Sequence, residues 1–152
     1  MSYIKSILQP GETIIIRGRL HWIIYWHAIC LLIIGAAVLW GEHVYWNNDV
    51  LISVSAIIFA GLFVGAFLHA WFVRWITELA VTSWRVIYKR GFITRHTAEM
   101  NMDKVESVDV DQSILGRILG YGTIHVNGTG QGIEHLHRIA APLKIRNAII
   151  AK

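Results

Sequence analysis

Two stretches of this chain contain no Asp, Glu, Lys or Arg: Leu20 to Gly41 and Val50 to Val73. A helix needs about 20 apolar residues to cross the roughly 30 Å hydrocarbon core of a bilayer, and each stretch supplies them. A chain of 152 residues has too small an interior to hide both. The expectation is therefore a transmembrane helix over 20–41 and a second over 50–73. Charged residues are only 16% of the chain, against about 25% in soluble domains. Hydrophobic types make up 55% of the chain, and that excess excludes a disordered chain. The single cysteine, Cys30, excludes a disulfide scaffold, and the length excludes a large multidomain enzyme.

The flanks give an orientation. Trp22, Tyr25 and Trp26 lie at one end of the first stretch and Trp40 at the other, and Trp71 and Trp75 mark the end of the second. Aromatic rings with a polar edge favour both bilayer interfaces. Lys5, Arg17 and Arg19 precede the first stretch, and Arg74, Arg85, Lys89 and Arg90 follow the second. The 42–49 loop between them holds Glu42 and Asp49 and no Lys or Arg. The positive-inside rule then places both termini in the cytoplasm and the loop outside, as for a multi-pass protein of a bacterial inner membrane. The first stretch starts too late and runs too long for a cleavable signal peptide. The expected organisation is an arm over 1–19 with one strand, the helical hairpin, and a cytoplasmic domain over 76–152.

Within the hairpin, Ser53, Ile57, Gly61 and Gly65 recur every four residues and share one helix face. Small residues let helices approach closely where lipid provides no hydrophobic drive. The stripe serves either the packing of the two helices or packing between protomers. His27 and His69 fall near the cytoplasmic interface, which argues against a proton relay.

After Thr77 the pattern shortens to strand-like runs. Leu79–Thr82, Arg85–Tyr88 and Phe92–Thr94 read as strands, with Lys89-Arg90-Gly91 as a tight turn. Val105 to Val110 alternates apolar and polar, as a half-buried strand does. Residues 114–120 read as a short turn, because their glycines disfavour a long helix. Tyr121–Val126 and Ile133–Ile139 are further strands, joined through Gly128–Gly132. Pro142 opens a closing helix that runs through Ile150. In the arm, Pro10-Gly11 is a turn and 12–19 a strand too short to stand alone; it pairs with the domain or lies on the membrane. The fold class is α+β: a transmembrane hairpin joined to a small antiparallel β domain with a C-terminal helix.

The segments Glu78–Thr82, Arg85–Phe92, Met102–Val108 and Gln112–Ile124, ending with Gly128-Thr129-Gly130, carry a resemblance. They are similar to the bacterial pleckstrin-homology (PH) domains, and Pro10-Gly11-Glu12 with the hairpin resembles the membrane-anchored members. The resemblance implies a PH-like barrel or sandwich capped by a helix, a tendency to self-assemble, and no established catalytic residues.

No enzyme signature competes with that reading. Gly128–Gly132 lacks the Gly-Lys-Ser/Thr ending of a phosphate-binding loop. His125, His135 and His137 have no diagnostic metal spacing. Asp103, Glu106, Asp109 and Asp111 read as a solvated strand face. No catalytic residue, cofactor or metal is expected. The basic residues flank the apolar stretches and form no single basic face, so nucleic acid is not an expected partner. The expected role is a non-catalytic membrane-anchored scaffold that self-assembles, with other membrane proteins as further partners. One alternative is an anionic-lipid headgroup module using Arg74, Arg85, Lys89, Arg90 and Arg95. Another is a subunit of a transporter or channel.

Overall fold

In the computed structural model, residues 3–46, 48–91, 96–129 and 133–151 are described. They form two units: one comprises the chain up to His21 together with everything from Arg74 onward, and the other comprises Trp22 to Val73.

The second unit is helical. A 3-10 turn over Trp22–Tyr25 leads into α2 (Trp26–Tyr45), and α3 runs from Asp49 to Ile76; α1 is a short N-terminal helix, Tyr3–Ile7. On α2 the buried residues are Ala28, Gly35 and Glu42, seven apart. On α3 the covered positions are Ser55 and Ile76 together with Ile52, Ala56, Phe59, Phe63, Ala66, Ala70 and Val73, the last seven alternately four and three apart. That is the repeat of a left-handed helix seam. Its contacts run antiparallel. The Tyr25 and Phe67 rings lie 5.2 Å apart, Gly35 seats the Phe59 ring, where a Cβ would come within 3.0 Å, and the Ser55 hydroxyl donates to the Glu42 carboxylate at 2.5 Å. Away from the seam the helices expose large apolar side chains, Ile33, Ile34, Ile57, Ile58 and Leu62 among them. Both are long and apolar enough to cross a membrane, with mean hydropathies of 2.2 and 2.5 and almost no burial. A core helix of a soluble domain would be covered.

The first unit holds two antiparallel sheets. One has the order β1-β2-β3-β4, where β1 is Ile14–Gly18, β2 Glu78–Thr82, β3 Arg85–Arg90 and β4 His96–Asn101. The other has the order β5-β6-β7, from Val105–Asp111, Tyr121–Gly128 and Ile133–Ala140. The arm strand thus pairs with the domain, Arg17 opposite Ala80 and Gly18 opposite Leu79. Gly18 is required by that pairing, since a Cβ there would lie 2.4 Å from the Leu79 side chain.

Among the described residues the two sheets do not close into a barrel. A 3-10 turn over Met102–Lys104 separates β4 from β5, and the two sheets are joined elsewhere. Helix α5 (Pro142–Ile150) packs on β1 and β2 of one sheet and β5 and β6 of the other. Its Ile145 and Ile149 are four residues apart, so they share a face, and both are buried. A lone bridge links Leu20 to Ile139. The core includes Val81, Ile87, Ile124, Val126, Leu136 and Ile139.

Three local expectations change. Lys89 and Arg90 belong to β3 and do not form a turn; the strand ends at Arg90, and the next residue, Gly91, has a φ of +91° that suits glycine. The expected strand Phe92–Thr94 lies outside the described residues. β4 was not expected, because its alternation is mostly polar; it is a sheet edge, where polar residues guard against unwanted pairing. In the expected 128–132 turn, Gly128 ends β6, and 130–132 lie outside the described residues. The short segment at 114 is a helical turn, α4 (Ile114–Leu119), capped by Ser113, whose side chain accepts from the Gly116 amide at 3.0 Å.

Candidate functional site

The β1–β2 register sets the end of the arm beside the start of β2. Together with α1 and the last turn of α3 they enclose an open cleft of about 230 Å³. Its lining includes Arg17, Arg19, Arg74, Trp75, Glu78 and Ile4. Three arginines and one glutamate therefore border it. Glu78 is itself engaged, accepting from the Ile4 amide at 3.3 Å. The cleft is below the roughly 300–1,000 Å³ of pockets for drug-sized ligands, so its size suits a small anionic group. Arginine binds phosphate and carboxylate through paired N–H donors, and the indole of Trp75 adds an amphipathic wall, more than half exposed.

A second polar cluster has a different character. Glu12 is buried, and its carboxylate receives Arg85 Nε at 3.0 Å and Nη2 at 2.9 Å, a bidentate pair. The Thr82 hydroxyl donates to it at 2.6 Å and the Gln9 amide at 3.0 Å. Arg85 also donates to Glu99 at 2.7 Å and to the Ile7 carbonyl at 2.9 Å. Burial alone would raise the Glu12 carboxyl. The hydrogen bonds from Arg85, Gln9 and Thr82 and the Arg85 charge outweigh it and lower the pKa to about 2. Hydrogen bonds to Glu12 and Glu99 and their negative charge raise Arg85 in turn. This cluster ties the arm to β2, β3 and β4. Its donors and acceptors are directed at one another.

The basic residues singled out in the sequence thus separate. Arg74 lines the cleft. Arg85 is held inside the Glu12–Glu99 cluster. Lys89 and Arg90 lie at the end of β3, and Arg95 is outside the described residues. Arg17 and Arg19 are the cleft residues that sequence reasoning used only to assign orientation. Their strand was legible, but their convergence with Arg74 depends on its register.

On α3, Ser53, Ile57, Gly61 and Gly65 lie on the face away from the hairpin seam. Ile57 is 73% exposed, a Cβ at Gly61 or Gly65 would meet nothing within 4 Å, and the Ser53 hydroxyl donates to the Asp49 carbonyl of its own helix. The hairpin's close approach uses Gly35 instead.

Among the described residues no group of three His, Cys, Asp or Glu side chains is placed to hold a metal ion. His125 pairs with Asp111 at 3.0 Å, His137 approaches Thr123 at 3.4 Å, and the His135 side chain lies outside the described set. Asp109 accepts from Asn127 at 2.9 Å.

Residues 20–151 match the model of a protein family described as the bacterial PH domain. No curated protein and no solved structure matches the chain.

Proposed function

Because the chain belongs to the bacterial PH domain family, we propose that it is a non-catalytic, membrane-anchored interaction module whose arginine-lined cleft takes an anionic lipid headgroup. The helices Trp22–Tyr45 and Asp49–Ile76 span the bacterial inner membrane as a hairpin, with both termini in the cytoplasm. One observation carries this reading: β1, just before the hairpin, pairs antiparallel with β2, just after it. Two chain ends joined by strand pairing must leave a bilayer on the same side, so the number of crossings between them is even. The same pairing brings Arg17 and Arg19 to Arg74 at the point where the chain leaves the hydrophobic segment, the depth of lipid phosphates. Lys89, Arg90 and Arg95 add general attraction to an anionic surface. Arg85 stands apart from them, its guanidinium occupied by Glu12 and Glu99.

The test is native mass spectrometry of the full chain in mild detergent, titrated with phosphatidylglycerol. Each basic residue near an anionic surface contributes about 1 kcal/mol. Changing Arg17, Arg19 and Arg74 together to Gln is therefore expected to weaken lipid retention by roughly 100-fold. Lys89→Gln with Arg90→Gln should cost much less. Equal retention by the triple variant and the native chain would remove the cleft as a headgroup site.

Self-assembly is the second reading. It is favoured by the outward placement of the stripe from Ser53 to Gly65, which the hairpin does not use for its own packing. Gly61→Leu with Gly65→Leu leaves the hairpin seam untouched, because both added side chains enter open space. The expected result is a smaller assembly in mild detergent. An unchanged mass would exclude this face as the contact between copies. A transporter role would further require several hairpins around one axis, which the same mass measurement decides.

A further inference from the structure

Helix α4 carries Ile114, Leu115, Gly116, Arg117, Ile118 and Leu119. Its arrangement is the reverse of a normal surface helix. The residue it buries is Gly116, and Ile114, Leu115 and Ile118 are 81%, 63% and 75% exposed. A water-facing turn gains nothing from three large aliphatic side chains, and clustered exposed apolar residues mark an interaction surface. The helix is also held firmly. A Cβ at Gly116 would lie 2.7 Å from the Tyr121 carbonyl, so the backbone sits close on β6. Gln112 donates to that same carbonyl at 2.9 Å. Gly120 closes the helix in the left-handed conformation and accepts from the Ala141 amide at 2.9 Å. The aliphatic side chains are therefore presented outward by a fixed base.

Its location identifies what they meet. The C-terminal end of α4 lies against His21: the Tyr121 and His21 rings are 5.2 Å apart, and the His21 ring hydrogen-bonds the Leu119 backbone. The His21 amide in turn donates to the Arg138 carbonyl at 2.7 Å. His21 is the last residue before the apolar segment that begins at Trp22. An element in contact with His21 is at the root of that segment. The charges agree, since α4 contains Arg117 and no carboxylate, and exposed Arg138 lies next to its contact. Asp111, the nearest acidic residue before it in the chain, is paired with His125.

We propose that α4 inserts its aliphatic face into the headgroup and upper acyl region of the same bilayer that the hairpin spans, fixing the β domain to the membrane at a third point. This rests on the reading of Trp22–Tyr45 and Asp49–Ile76 as spans. Short apolar wedges flanked by basic residues bind anionic interfaces by this combination of burial and charge.

The experiment uses the full chain with Cys30→Ala, reconstituted in vesicles of phosphatidylethanolamine and phosphatidylglycerol. A nitroxide is attached at one introduced cysteine, Ile118→Cys, Ile58→Cys or Glu106→Cys. These positions are all exposed, so labelling leaves the core intact. Collision with oxygen reports lipid, and collision with a water-soluble nickel chelate reports water. The label at 58 should be lipid-immersed and the label at 106, at the far end of β5, aqueous. The label at 118 should show an oxygen-to-nickel ratio several-fold above that at 106, and shallower immersion than 58. If 58 is in lipid while 118 is in water, the insertion of α4 is overturned and the hairpin stands. If 118 is shielded from both reagents, α4 is covered by protein, and the proposal is likewise overturned. If 58 itself is in water, the spanning reading fails and the proposal with it.

Discussion

Arg85→Met will destabilise the β domain by about 3–5 kcal/mol, the usual cost of leaving one member of a buried ion pair without its partner. The carboxylate left behind is that of Glu12, whose side chain has no solvent exposure. The double change Glu12→Gln with Arg85→Met should cost clearly less than Arg85→Met alone, because no buried charge then remains. The pH dependence gives a separate signature. In the native chain the Glu12 pKa is lowered from 4.5 to about 2. A carboxyl depressed in the folded state contributes stability that is present above pH 4.5 and is lost as the pH falls through about 2. The contribution is on the order of 3 kcal/mol. In Arg85→Met, burial still pushes the carboxyl up and its strongest opponent is gone, so this acid-labile component disappears. Urea titrations of the full chain in detergent from about pH 1 to about pH 7 measure both effects. An unchanged acid limb in the variant would show that Arg85 does not control Glu12.

The second large effect is expected at Ile145. This side chain is 2% exposed, its Cδ1 would lie 3.1 Å from a Cβ placed at Gly18 of β1, and its helix also packs on β5 and β6. Ile145→Ala removes buried volume where both sheets meet α5, at a cost of about 2–5 kcal/mol. The informative readout is hydrogen exchange at Val81 in one sheet and Val126 in the other. If α5 couples the sheets into one cooperative unit, both amides lose protection by the same factor, about 30-fold to several thousand-fold over that energy range. Loss confined to one sheet would mean that the two open independently.

How far these features could be read in advance depended on range. The helices α2 and α3 were legible because exclusion of charge over 20 or more residues is a local signal. The strand β5 was legible through alternation, β6 and β7 as short strand-like runs, and α5 through Pro142 and its apolar side. What escaped was set by tertiary neighbours. Arg85 looks like one more juxtamembrane cation until Glu12, 73 residues earlier, is brought beside it. Arg17 and Arg19 look like orientation signals until the β1–β2 register carries them to Arg74. Residues 114–120 read only as a short turn until Gly116 proves to be the side that packs. β4 escaped because its residues, His96 to Asn101, are mostly polar and give little hydrophobic signal. The small stripe on α3 was visible, but that the hairpin packs Phe59 on Gly35 and not on this stripe depends on a tertiary contact.

The pairing of β1 with β2 also governs the order in which the protein is made. The strand Ile14–Gly18 leaves the ribosome long before its partner Glu78–Thr82, with the whole helical unit synthesised in between. Until then β1 has no ladder to join, and Glu12 has neither Thr82 nor Arg85. Domains usually form as units while synthesis proceeds from the N-terminus, but here the first strand must wait. Closing this contact also brings together residues far apart in sequence, a slow class of folding step. Synthesis of both helices therefore comes before completion of the sheet, and the finished sheet becomes a record that the whole helical unit has been made.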